Sequence, residues 1–288
     1  MRRLIELLAV LMVVPLYGQA DRHFLWKVEG DTGSVAYLLG SLHVLTQASY
    51  PLPAVIDKAF TDSKVLVEEV DIDQAADPAV MMSALAKAML TDGRTLDQLV
   101  SPQTYAEVKR RAETSGIPLM ALQRMKPWLV AVTLMAPTLQ AAGFKPELGI
   151  DQHYFDRAKS SGMRRQALET LGYQLDRFDQ LAPALQEDLL KTTMEDLDAE
   201  VTGVTEMAAA WKAGNTAAIE KLTLSALQAS PELYRRLLVE RNVNWVPHVE
   251  ACVKENKACF IVVGAAHLVG PDGLPTLLSK KGYKVTQQ

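Results

Sequence analysis

Two stretches of sequence, AYLLGSLHVL (Ala36 to Leu45) and FIVVGAAHLV (Phe260 to Val269), decide the fold of this 288-residue chain. Each is an apolar run typical of a buried strand, and each continues into Gly-x-x-His and further apolar residues. Their repetition suggests two structural halves related by pseudo-symmetry. His43 and His267 are therefore expected just past the ends of two strands, where open α/β sheets bind their ligands.

A third apolar strand, KVLVEEV (Lys64 to Val70), ends in the adjacent carboxylates Glu68 and Glu69. Strand side chains alternate between the two faces of a sheet, so only one of the two carboxylates is expected to join the histidines. We expect Glu69 to join them, and Glu68 to lie on the other face.

Two imidazoles and one carboxylate, with an open position for water, are a common ligand set for a hydrolytic metal ion. Gly40 and Gly264 are expected to let the backbone turn tightly and approach the bound group closely. The residues therefore predict a divalent metal ion held by His43, Glu69 and His267, which would activate a water molecule.

The regions around these motifs predict an α/β fold in a single domain of residues 21–288. Residues from about 72 to 230 are mostly helical in pattern and are interpreted as a helical insertion. The remaining predicted strands are Phe24 to Val28, Val35 to Leu42, Arg165 to Glu169, Cys259 to Val263 and Tyr283 to Thr286. The main predicted helices follow Pro51, begin at Ser101-Pro102, and span Met120 to Ala142, Leu185 to Val201, Pro231 to Val253 and Pro271 to Lys280.

Composition and missing motifs exclude several functions. The chain has 30 Lys+Arg against 34 Asp+Glu and a formal net charge of −4, so it has no basic excess with which to bind a nucleic acid. It also lacks the G-x-S-x-G, H-E-x-x-H, G-x-x-x-x-G-K-[ST] and G-x-G-x-x-G motifs. Serine hydrolases of that type, zincins, P-loop proteins and dinucleotide-binding enzymes are therefore not expected.

The first 20 residues have the three parts of a secretory signal peptide. Arg2 and Arg3 precede an apolar stretch from Leu7 to Leu16, and small residues lead to a cleavage site predicted after Ala20. The apolar stretch is about half of the ~20 residues needed to span a bilayer. The mature protein is therefore expected in the periplasm or secreted, without a stable membrane span.

Cys252 and Cys259 are the two cysteines of the chain. In an oxidising compartment they are expected to form a local disulfide between a helix end and the next strand. Two buried free thiols and a metal site are the alternatives.

The ordered set of motifs resembles the TraB/GumN family, which is related to the Tiki metalloproteases of animals. The resemblance spans nearly all of the predicted mature chain. It rests on LWKVEGDTGSVAYLLGSLHVL, YPLP, LVEEV, GIDQHYFDRAKSSGMRRQALETLGYQ, ERN and FIVVGAAHLVGPDGL.

The resemblance implies an α/β fold of paired small β-sheets with helices, like that of the erythromycin-esterase group. In Tiki-like members the two Gly-x-x-His motifs and an acidic residue are associated with peptide cleavage that depends on a divalent metal. For this chain it implies that His43, Glu69 and His267 are ligands or catalytic groups.

The same resemblance gives roles to five further residues. Arg241 and Asn242 match an Arg-Asn pair common in the family, with the implied task of holding a substrate carbonyl or carboxylate. Asp151, Glu169 and Gln174 fall on family-typical positions and are implied to orient ligands or to join helix to strand.

These observations predict an exported hydrolase that depends on Mn²⁺, Co²⁺ or Zn²⁺ and acts on peptides, with Glu69 and Arg241 as its catalytic residues. Either Glu68 or Glu169 would be the proton-shuttling carboxylate. The alternative is a non-catalytic periplasmic protein that binds a peptide or small molecule in the same pocket, or regulates through it.

Overall fold

The computed structural model describes residues 22–31 and 33–288, so the predicted signal peptide lies outside it. Within these residues one six-stranded mixed sheet carries the fold, with the strand order β4-β3-β5-β2-β1-β6. The strands are β1 Leu25–Glu29, β2 Val35–Ser41, β3 Val65–Glu68, β4 Arg164–Ala167, β5 Cys259–Gly264 and β6 Lys284–Gln287.

The two Gly-x-x-His strands lie side by side at the centre of the sheet. β2 and β5 are parallel neighbours, with Ser41 opposite Gly264. β3 and β4 continue the parallel part, while β1 pairs antiparallel with β2 and β6. The expected paired small sheets are therefore a single sheet, because the two halves share the β2–β5 ladder.

The described residues also form helices on and beside this sheet. They are α1 Ala54–Thr61, α2 Ile72–Ala75, α3 Pro78–Ala88, α4 Pro102–Thr114, α5 Leu119–Leu122, α6 Pro127–Ala141, α7 Ile150–Ser161, α8 Leu171–Asp179, α9 Pro183–Lys212, α10 Thr216–Gln228, α11 Pro231–Tyr234, α12 Glu240–Lys254 and α13 Leu274–Lys280. Short 3₁₀ turns lie at Gln47–Ser49, Leu96–Gln98, Pro146–Leu148 and Ala265–Leu268.

Two predicted helices are interrupted in the structure. The segment Met120 to Ala142 is divided into α5 and α6, because Pro127 suits the first turn of a helix but not its interior. The segment Pro231 to Val253 carries a π-helical turn at Arg235–Val239, immediately before α12. Such turns are rare and are often found near functional sites.

The main hydrophobic core lies between the sheet and the helices packed on it. Phe60 of α1 and Tyr154 of α7 have ring centroids 5.4 and 4.9 Å from that of Phe260 in β5. Helix α12 packs against β2 and β5. A second buried cluster, which includes Val108, Leu134 and Leu190, belongs to helices of the predicted insertion. None of the helices described is long and apolar enough to cross a membrane.

Candidate active site

The carboxyl ends of the central parallel strands open into one pocket. Its volume is about 260 Å³. Strands β2, β3 and β5 and helices α2, α7 and α8 contribute to it, as expected for ligand binding in an open α/β sheet. The lining residues are Ser41, His43, Glu68, Glu69, Val70, Ile72, Asp151, Gln174 and Val262.

His43 is held at the mouth of this pocket by Asp151, which lies in the first turn of α7. The backbone N–H of Ile150 donates to the carbonyl of Leu42, so the start of α7 lies against the first motif. His43 Nδ1 is 3.0 Å from Asp151 Oδ2. This contact leaves Nε2 of His43 available for a ligand and constrains the orientation of the ring.

The proton affinity of His43 is raised by this neighbour. Crowding by surrounding protein atoms lowers the pKa of His43, but the hydrogen bond and negative charge of Asp151 outweigh it and raise the pKa above its ordinary value. The side chain is nevertheless 64% exposed, so solvent screens the ion pair and its contribution to stability is small. The carboxylate of Asp151 therefore favours the protonated form of the ring.

Three oxygen atoms of the pocket-lining residues are buried without a hydrogen-bond partner among the described residues. They are Ser41 Oγ, Glu68 Oε1 and Asp151 Oδ1. Ser41 and Glu68 are only 3% and 4% exposed. A buried polar atom without a partner costs about 1–3 kcal/mol, so these atoms need a water molecule or a ligand.

Glu68 lies in the pocket beside Glu69, contrary to the expectation that it would lie on the opposite face. The alternation of side chains ends where the strand ends, and β3 stops at Glu68 while the chain bends at residues 69–70. Burial raises the pKa of Glu68 to about 8, and the negative charge of Asp151 acts in the same direction.

Glu69, in contrast, accepts three hydrogen bonds from protein donors. The backbone N–H of Gly264 donates to its Oε1 at 2.7 Å. Gln174 Nε2 and Arg241 Nη2 donate to its Oε2 at 2.8 and 2.6 Å. Burial raises the pKa of Glu69, but the charge of Arg241 and the other donors outweigh it and lower the pKa to about 2. Glu69 is therefore ionised and paired with Arg241.

Arg241 on α12 contacts side chains that follow strands β3, β4 and β5. It donates to Glu169 through Nε at 3.1 Å and Nη2 at 2.7 Å, and Nη1 donates to the carbonyl of Leu237 at 3.2 Å. Nη1 also lies 3.1 Å from His267 Nε2. With the bond to Glu69, all five N–H groups of the guanidinium are used, which leaves none for the predicted contact with a substrate.

His267 and Asn242 complete this buried group. His267 Nδ1 is 2.7 Å from Asn242 Oδ1. The Asn242 amide nitrogen donates to the carbonyls of His267 and Asp272 at 3.3 and 2.7 Å. Asn242 therefore also has no group left for a substrate. Burial lowers the pKa of His267 to about 3, so this imidazole is neutral.

The three predicted metal ligands converge, but their arrangement does not fit a metal ion. A Cβ atom built on Gly264 would lie 3.3 Å from Glu69 Oε1, 3.5 Å from His267 Cδ2 and 3.9 Å from His43 Nε2. Arg241, however, contacts both Glu69 and His267 Nε2. Among the residues whose side chains the structure describes, no group of three or more His, Cys, Asp or Glu is arranged to hold a metal ion.

Ser41 and Trp245 were not among the predicted site residues. Ser41 lies inside the first Gly-x-x-His motif, one residue after Gly40, and its buried hydroxyl lines the pocket. Trp245 follows Arg241 by one helical turn, and the guanidinium carbon lies 4.6 Å from the centroid of its ring. The spacing of four residues on a helix was the available signal.

The two motif glycines have different neighbours. A Cβ on Gly40 would overlap the Phe24 ring and lie 3.2 Å from Ala265 Cα, whereas one on Gly264 would meet Glu69 at 3.3 Å. Neither residue has the left-handed backbone that a tight glycine turn uses. Gly40→Ala should therefore lower the free energy of unfolding by about 1–3 kcal/mol through overpacking, and Gly264→Ala by less. Urea denaturation checks this, and equal losses would contradict it.

Cys252 at the end of α12 and Cys259 in β5 form a disulfide in the structure. The bond closes a loop with a sequence separation of 7. Replacing both cysteines by alanine should lower the free energy of unfolding by about 2–3 kcal/mol, the effect of closing a short loop. Denaturation with and without a thiol reductant measures it. A reductant that affects the variant as much as the wild type would contradict the assignment.

Comparison with known proteins identifies the family of the chain but not its activity. A protein named "Uncharacterized protein YbaP" from Shigella flexneri is 24% identical over 259 residues, 89% of this chain and 93% of the relative. The Escherichia coli K12 protein of that name is 24% identical over 242 residues, 84% of this chain and 87% of the relative. No solved structure matches the chain. The model of the TraB/PrgY/gumN family matches residues 24–287, and the chain therefore belongs to that family.

Proposed function

We propose that the protein is an exported hydrolase that acts on peptide bonds in the pocket of Ser41, His43, Glu68 and Asp151. The observation that carries the proposal is the set of three buried, unpartnered oxygens in this pocket beside a histidine oriented by a carboxylate. The disulfide suits an oxidising compartment and supports export.

The two proton-exchanging groups of the pocket have complementary roles in this proposal. Glu68 has an unpartnered oxygen and a pKa of about 8, and in its ionised form it takes a proton from the attacking water. His43, kept protonated by Asp151, stabilises the negative charge that develops on the carbonyl oxygen. It then donates a proton to the leaving amine. Ser41 offers its hydroxyl to the water or the substrate.

Glu68 is preferred to Glu169 as the base because of their surroundings. Both oxygens of Glu169 accept from Arg241, at 2.7 and 3.2 Å. Glu169 is also absent from the residues that line the pocket. Since a base must reach the water from which it takes a proton, Glu68 is the carboxylate suited to this role.

The experiment is digestion of a broad peptide library with the purified protein, read by mass spectrometry. Cleavage by wild type should be lost in His43→Ala and kept in His248→Ala, a matched change on the exposed face of α12. Parallel digests contain EDTA, Mn²⁺, Co²⁺ or Zn²⁺.

Two outcomes would contradict the proposal. Peptides that bind at the pocket and stay uncut with every addition would favour the alternative, a binding or regulatory protein. Cleavage that persists in His43→Ala would place the reaction elsewhere in the molecule.

A further inference from the structure

The two Gly-x-x-His motifs look equivalent in sequence, yet their imidazoles have different partners. His43 faces the pocket with its Nε2 free of hydrogen bonds to the described residues and its Nδ1 on a carboxylate. His267 is buried and absent from the pocket lining, and both of its ring nitrogens are engaged.

The hydrogen-bond network decides which nitrogen of His267 carries the proton. The amide nitrogen of Asn242 faces two carbonyls, so its oxygen must face His267 Nδ1. An amide oxygen only accepts, so Nδ1 carries the hydrogen. Arginine has no acceptor, so Nε2 must accept from Arg241 Nη1.

This leaves no room for an ion on His267. A zinc ion lies about 2.0–2.1 Å from a ligating nitrogen. The gap between His267 Nε2 and Arg241 Nη1 is 3.1 Å, and the guanidinium hydrogen occupies it. Arg241 is in turn held by the carboxylates of Glu69 and Glu169, at 2.6 and 2.7 Å. A divalent ion would have to displace a buried cation that two anions hold.

We infer that Arg241 is a resident cation in the place expected for a metal ion, and that His267 is a positioning residue that orients this arginine. The second motif then serves to fix Arg241 and, through it, Glu69 at the wall of the pocket. The first motif alone presents its histidine to a ligand. This division of roles rests on the proposed function only where it assigns His43 to the reaction.

The test is a ¹⁵N spectrum of the full chain labelled at histidine, at pH 7, before and after addition of Zn²⁺. The His267 signals are identified by their loss in His267→Gln, whose amide oxygen can still accept from Arg241. The inference predicts that Nδ1 of His267 carries the hydrogen and that Nε2 carries none. It also predicts that the Nε2 resonance does not shift when Zn²⁺ is added. A hydrogen on Nε2, or an Nε2 resonance that Zn²⁺ moves, would overturn it.

Zinc affinity gives a second readout that does not depend on activity. If Zn²⁺ binds, His267→Gln should change its affinity by no more than about twofold, as expected for an independent site. A loss of more than about tenfold in His267→Gln would contradict the inference. Failure of peptide cleavage would remove the proposed function without changing the state of His267, so the two failures are distinguishable.

Discussion

Replacing Arg241 by methionine is expected to lower the free energy of unfolding by about 3–5 kcal/mol, because it leaves two buried carboxylates without their partner. The guanidinium contacts both Glu69 and Glu169, and all three side chains are less than 10% exposed. Methionine keeps most of the volume, so the loss reports the charge and the hydrogen bonds. Urea denaturation at pH 7 measures it.

Arg235→Met is the matched control. Arg235 pairs with Glu240, but its side chain is 54% exposed. An exposed pair contributes about 0–1 kcal/mol, so this variant should be close to wild type. Similar losses of unfolding free energy in Arg241→Met and Arg235→Met would show that the buried contacts of Arg241 with Glu69 and Glu169 do not stabilise the fold as proposed.

Glu68→Gln is expected to abolish most peptide cleavage and yet to leave the protein no less stable. Loss of a general base reduces kcat/KM by about 10²–10⁴. Glutamine has nearly the same shape as glutamate and no charge to bury, so it removes the cost of an ionised carboxylate at this position. The control is Glu255→Gln, which changes an exposed glutamate after α12.

The stability of Glu68→Gln relative to wild type should increase as the pH rises. The pKa of Glu68 is raised from 4.5 to about 8 in the folded chain. Between these values the folded state binds more protons at this residue, so wild-type stability falls as pH rises. Glu68→Gln lacks this fall, and its stability relative to wild type should increase from pH 5 to pH 8. Denaturation at both values checks this, and a difference that does not change would be contrary evidence.

The sequence was sufficient to predict the two central strands of the sheet. Continuous apolar runs before Gly40 and Gly264 predicted buried strands, and the repeated motif predicted that both histidines lie at one edge of the sheet. The structure has β2 and β5 as parallel neighbours with both motifs at their carboxyl ends. Hydrophobic patterning is a local property, and the two central strands follow from it.

The roles of the site residues could not be predicted from the local sequence pattern. Alternation along β3 predicted the wrong position for Glu68, because a strand end is set by tertiary contacts rather than by the pattern. The position of Arg241 depends on how α12 packs against β2 and β5, at a large sequence separation from Glu69. A guanidinium between Glu69 and His267 therefore had no signal in the local sequence.

Hydrolysis in H₂¹⁸O tests the central claim most directly. With a peptide cleaved by the wild type, mass spectrometry should find one ¹⁸O atom at the new carboxyl terminus, and Glu68→Gln should yield almost no product. Product without ¹⁸O, or a Glu68→Gln variant as fast as wild type, would contradict water attack assisted by Glu68.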